Sequence, residues 1–184
     1  MDSDIKQQNQ ELLAKLREGR EVYLRIVRGI PEEASRLRNS EDSWSILECA
    51  EHVALAERGM MFALQHRRPT DAAPDFARDQ MVEQIISDRT RKATAPEPSR
   101  PTGRFANLAV AIREFEAARA ETLAFIQNNN EDLRKCTVKH PFGIFDAYQV
   151  LTIMALHPQR HALQIEEIRR KHGAGMKAEV RASV

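Results

Sequence analysis

The chain has 184 residues, 42% of them apolar and 30% charged, with a formal net charge of +1. This length suffices for one domain with a sizeable core. Charges of both signs are mixed along it and no acidic or basic tail stands out, which leaves no electrostatic footprint for nucleic acid.

No apolar run is long enough to span a bilayer. The start of the chain has no secretory apolar region, and Cys49 and Cys136 match no zinc or redox spacing. A soluble protein of the reducing cytoplasm is therefore expected. The one locally basic run, Arg89-Thr90-Arg91-Lys92, reads as a solvated loop or helix end.

Leu12, Leu13, Leu16, Val22, Tyr23, Ile26 and Val27 recur at helical spacing and predict a first helix over roughly residues 3–28. Gly19 interrupts that stripe at about 1 kcal/mol relative to alanine, and Gly29 with Pro31 stops it. Ser45 and Glu48 have capping-box spacing, which predicts a second helix from about Ser45 to Gln65 with Trp44 stapled near Cys49. Its inward face is expected to carry Glu48, Cys49, His52, Leu55, Ala56, Gly59, Phe62 and Ala63.

A short helical pattern around Met81, Val82, Ile85 and Ile86 fades at Arg89. The segment from Ala93 to Gly103 holds three prolines, which exclude regular helix or central strand. It reads as a long crossover; a plain connection is the ordinary reading, although long loops often line functional sites. Phe105, Leu108, Ile112, Phe115, Ala118, Thr122, Leu123 and Ile126 predict the third core helix, from about Arg104 to Gln127. Arg113, Glu116 and Arg119 are expected to face solvent, and Asn128-Asn129-Asn130 to end the helix. The last helix is expected from Asp146, as N-cap, to His172, with Gly173 and Gly175 as its stop and a frayed tail after about residue 174. No strand pattern and no internal repeat is evident.

Four long amphipathic segments predict an all-α four-helix bundle, a scaffold that builds metal and cofactor sites from side chains on facing helices. His157 and His161 stand at i and i+4 in the last helix, on one face, where both imidazoles can reach one ion. A bare pair proves little, but His52 lies on the inward stripe of another helix. Three neutral imidazoles suit zinc or nickel, and equally copper or iron, and leave positions open for water or substrate. Glu48 and Gln164 lie about one turn from these histidines and are candidates to hold their second ring nitrogens.

The other histidines have plainer readings. His66 and His172 sit at expected helix ends, where a cation suits the dipole. His140 precedes a proline in an expected loop, and a structural role there outweighs lining a site mouth. Cys49 could be a ligand or reactive thiol, but a small buried hydrophobe is the better reading. Pro158 stands directly after His157, removes a backbone bond to Met154, and is expected to kink the helix at the pair.

Trp44-Ser45-Ile46-Leu47-Glu48-Cys49-Ala50-Glu51-His52 resembles the W-S-x-x-E-x-x-x-H stretch of the DinB-like superfamily. His157 and His161 with Gln164-Ile165 resemble its closing H-x-x-x-H-x-x-Q-I, and His140-Pro141-Phe142-Gly143 its H-P-x-G turn. The resemblance spans roughly residues 40–170. It implies an up-down-down-up bundle, often dimeric, with a divalent metal on His52, His157 and His161. Relatives of this kind include metal-dependent transferases and isomerases that use low-molecular-weight thiols such as bacillithiol or mycothiol.

Three functions follow as expectations. The first is a metal-dependent transferase or hydrolase acting on a small molecule, with the ion activating water or a thiol. The second is a non-catalytic metal-binding or stress-response bundle. The third is an interaction protein whose histidines are purely structural.

Overall fold

The computed structural model describes residues 2–90 and 94–179. Its elements are α1 (Asp2–Val27), α2 (Ile46–Gln65), β1 (Arg68–Pro69), α3 (Phe76–Ser87), α4 (Leu108–Gln127), β2 (Cys136–His140), β3 (Gly143–Asp146) and α5 (Ala147–Glu179). Among the described residues, four of the five α-helices make the bundle.

Side-chain pairings give their directions. Gly19 abuts Ala155, and Ile26 accepts from Arg169, so α1 and α5 run parallel. Asn9 bonds Asn129 while Arg28 reaches Glu116, so α4 runs against α1. Glu57 meets Arg119, and Arg67 meets Glu131 beyond both helices, so α2 and α4 run parallel. The result is up-down-down-up. α1 and α2 each pack against both α4 and α5, which puts α1 and α2 on opposite corners.

Local signals act as expected at most ends. Ser45 and Glu48 satisfy each other's backbone amides at the start of α2. Asp146 and Gln149 do the same at the start of α5, at 2.7 and 3.2 Å. α4 begins at Leu108 rather than Arg104, because the Asn107 side chain caps it by accepting from Val110. α5 runs past Gly173 and Gly175 to Glu179. A helical glycine costs only about 1 kcal/mol, and the residues that follow include no proline. The expected fraying of the tail concerns, beyond Glu179, residues 180–184, which lie outside the described residues, as do Arg91 and Lys92 of the basic run.

Three sequence expectations are corrected. A small antiparallel sheet, β1-β2-β3, exists where none was expected. β2 and β3 form a hairpin with His140 opposite Gly143, so the His140-Pro141-Phe142-Gly143 turn is its tip and His140 lies on a strand. Phe62 is 64% exposed, so the inward face of α2 is rotated toward Glu57, Met60 and Met61. Arg119, expected to face solvent, is completely buried.

Arg119 can be buried because each of its three guanidinium nitrogens has a partner. Its Nε and Nη2 donate to the two oxygens of Glu57 at 2.7 and 2.9 Å. Nη1 donates to the Leu16 carbonyl at 2.7 Å and Nη2 also to the Met154 carbonyl at 2.6 Å. Thr122 Oγ1 donates to Glu57 at 2.8 Å. One guanidinium thus ties together all four bundle helices, between the two apolar clusters that fill the bundle's ends.

Gly19 also has its reason here. A Cβ on it would lie 2.0 Å from the Ala155 carbonyl oxygen. The glycine lets the α1 backbone approach α5 just ahead of Pro158.

Candidate metal centre

α2 and α5 run antiparallel and bring His52 opposite His157 and His161. His52 Nε2 lies 3.1 Å from His157 Nε2, and His161 Nε2 lies 3.2 Å from the same atom. One ring nitrogen from each histidine falls within a sphere of mutual separations no larger than 4.8 Å. Pro158 does not turn His157 away, since α5 continues through it with the two rings 4.6 Å apart.

The other ring nitrogens fix the tautomers. His52 Nδ1 is 2.7 Å from the Ser99 carbonyl oxygen, which can only accept, so the proton is on Nδ1. His161 Nδ1 is 3.0 Å from Gln164 Oε1, the expected partner, and Arg89 Nη1 donates to the same oxygen at 3.5 Å. Arg89 can only donate, which makes that oxygen the acceptor and assigns the His161 proton to Nδ1. His52 and His161 therefore both present Nε2 as a bare lone pair. His157 Nε2 can offer one proton at most, so the three cannot satisfy one another.

Such a cluster suits a cation. Three imidazole nitrogens around a tetrahedral ion with bonds of 2.0–2.1 Å would lie about 3.3 Å apart. The two short separations are close to that value. Burial, reinforced by the neighbouring imidazoles, holds His157 well below the ordinary imidazole pKa. Burial does the same for His161, with His52 adding to it, and burial lowers His52 against an opposing effect of the Ser99 bond. All three shifts favour the neutral imidazole, the state a metal requires.

The surroundings differ in part from expectation. Glu48 does not hold a histidine: its carboxylate accepts from the Ser45 amide at 2.6 Å and from Arg38 at 3.2 Å. Trp44 packs on the apolar cluster that contains Cys49 and also lies against the site, its ring 4.7 Å from His52 and 6.3 Å from His161. Cys49 is fully buried with its thiol pushed up to about 12 by burial, and it stays a packing residue. His66 caps α2 through the Phe62 carbonyl, and His172 donates to the Arg38 carbonyl. His140 packs against Phe142 and Phe145 in the hairpin.

Residues that sequence spacing did not single out complete the wall. The proline-rich crossover is more than a connection, because its Ser99 carbonyl orients His52. Glu51, directly before His52 and buried, accepts from the amides of Thr102, Gly103 and Arg104 at 2.8, 3.1 and 3.1 Å. Adjacent residues of α2 thus pin the crossover at two points. The signal available in sequence was a glutamate beside the histidine on a helix flank otherwise filled by Ala50, Val53 and Ala54.

Fold and site together define a four-helix bundle with a three-histidine centre between two of its helices. The chain belongs to the DinB superfamily, whose family model matches residues 15–165. Among solved structures it is similar to TT2238, a four-helix bundle protein, with 20% identity, TM-score 0.55, and coverage of 86% of this chain and 98% of that one. It is also similar to YfiT from Bacillus subtilis, described as a probable metal-dependent hydrolase with an unusual four-helix bundle topology. There the identity is 16%, the TM-score 0.59, and the coverage 91% of this chain and 89% of that one. No curated protein matches. Among the described residues, no helix is long and apolar enough to cross a membrane.

Proposed function

We propose that the chain is a divalent-metal-dependent enzyme in which His52, His157 and His161 hold one ion, zinc or nickel, through Nε2. The observation that carries this is the convergence of three imidazole Nε2 atoms at 3.1 and 3.2 Å with the outer nitrogens of His52 and His161 occupied. An ion on three neutral imidazoles keeps open positions and lowers the pKa of a bound water or thiol, which supplies a nucleophile near neutral pH. Ser99 and Gln164 keep Nε2 of their histidines aimed inward, and Trp44 covers His52 and His161 on one side.

The reaction is proposed as hydrolysis of a small molecule, or transfer to a low-molecular-weight thiol, in a cytoplasmic homodimer. The description of YfiT supports the hydrolytic option, and the motif resemblance supports the thiol option. The test is elemental analysis of protein purified without chelators, alongside His161→Ala. One equivalent of metal in the wild type and almost none in the variant is expected. Equal metal in both would overturn the assignment.

A second reading, a metal-binding or stress-response bundle without catalysis, is favoured by one observation. The glutamates nearest His52, Glu48 and Glu51, are committed to capping and to the crossover, so neither is free to serve as a base. Zinc-loaded protein assayed on esters, amides and electrophilic thiol acceptors separates the two: turnover lost in His161→Ala marks the enzyme.

A further inference from the structure

Pro158 creates a problem that the rest of the bundle has to solve. It carries no N–H, so the Met154 carbonyl, one turn earlier, loses its helical donor. That carbonyl sits three residues before His157, in the core, where an unsatisfied acceptor costs about 1–3 kcal/mol. Arg119 Nη2, arriving from α4, donates to it at 2.6 Å. The same guanidinium is held by Glu57, five residues after His52 on α2. It is held again by the Leu16 carbonyl of α1, close to the glycine that lets α1 meet this turn of α5.

We infer that the Glu57–Arg119 pair is a positioning device for the metal centre, replacing the backbone bond that Pro158 removes and so fixing the turn that carries His157 against the helix that carries His52. This rests on the reading of the three histidines as ligands of one ion. A buried ion pair is weak evidence for stability, since apolar replacements of both partners are often tolerated. A specific geometric task explains its presence better. Pro158 leaves the Met154 carbonyl without its i+4 amide donor, and the pair reaches both histidine-bearing helices with charge-assisted bonds that resist sliding.

The test is a cycle of four proteins: wild type, Pro158→Ala, Glu57→Gln/Arg119→Met, and the triple variant. Zinc affinity is measured by competition with a chromophoric chelator, and thermal unfolding of the metal-free proteins is followed in parallel. Pro158→Ala restores an N–H to the Met154 carbonyl. Zinc affinity should fall at least tenfold in Glu57→Gln/Arg119→Met, and the triple variant should recover most of that loss whatever its melting temperature. A merely structural pair would lower melting in both backgrounds and leave the affinity cycle additive, which overturns the inference. If Glu57→Gln/Arg119→Met does not fold, Arg119→Lys serves in the same cycle, because a single ammonium nitrogen replaces the three nitrogens that make these bonds. Wild type that binds no zinc overturns the metal reading and this inference with it. Zinc bound equally by wild type and variants overturns the inference alone.

Discussion

Two polar clusters lie in this bundle about one and a half helical turns apart, and they are built on opposite terms. In the Glu57–Arg119 cluster donors meet acceptors: two carboxylate oxygens and two backbone carbonyls accept from one guanidinium, and the Thr122 hydroxyl donates to the carboxylate. In the histidine cluster acceptors outnumber donors, with His52 and His161 both directing a lone pair at His157, which can donate to only one of them. A closed network holds helices together and has no room for a ligand. An open one of this kind is complete only when something positive from outside joins it.

The contrast can be broken most sharply at Glu57. Glu57→Ala leaves Arg119 buried and uncompensated, and chemical denaturation should show a loss of about 3–5 kcal/mol. His157→Ala in the metal-free protein should cost far less, since it removes one of three mutually unsatisfied groups. A larger loss at His157 than at Glu57 would invert the comparison. Zinc is expected to act next in size. At a hundredfold excess over its Kd it should stabilise the wild type by about 2.7 kcal/mol, seen as a raised Tm, and leave His161→Ala unmoved. A rise of the same size in His161→Ala would mean that zinc binds elsewhere.

A milder effect is expected from pH. Burial places the folded-state pKa of the three histidines below that of the unfolded chain. The unfolded state then binds more protons below about pH 6.5. Metal-free protein should therefore hold its full stability above that pH and lose it as pH falls toward 5, whereas His52→Gln/His157→Gln/His161→Gln should show a flatter profile. An equally steep profile in the triple variant would place the titrating groups elsewhere. The smallest effect is expected at Gly19→Ala. Helix propensity favours the change by about 1 kcal/mol, but the clash with the Ala155 carbonyl costs about 1–3 kcal/mol. A net destabilisation of about 1 kcal/mol in thermal unfolding is predicted, and a stabilised variant would show that α1 and α5 are not in close contact there.

Much of the bundle was legible in sequence because its signals are local. The Ser45–Glu48 box, the Asn128 stop and the i, i+4 histidines need no knowledge of the partner helix. Arg119 was misread because an arginine beside an apolar stripe is normally solvated. Only the arrival of Glu57 from α2, likewise a charge on a mostly apolar face, makes its burial tolerable. The hairpin was missed although Cys136 and Val138 alternate with more exposed residues, since five residues give too short a period to read. Ser99 was out of reach for a different reason. It orients His52 through a backbone carbonyl, which any residue possesses, so side-chain identity carries no trace of the role.

The central claim is that the three imidazoles share one ion through Nε2. X-ray absorption at the zinc edge, on stoichiometrically loaded protein freed of thiols, tests it most directly. Imidazole scattering from three nitrogens at about 2.0–2.1 Å, completed by a light-atom ligand, is the predicted result. A shell containing sulfur at about 2.3 Å, or one without imidazole scattering, would contradict it.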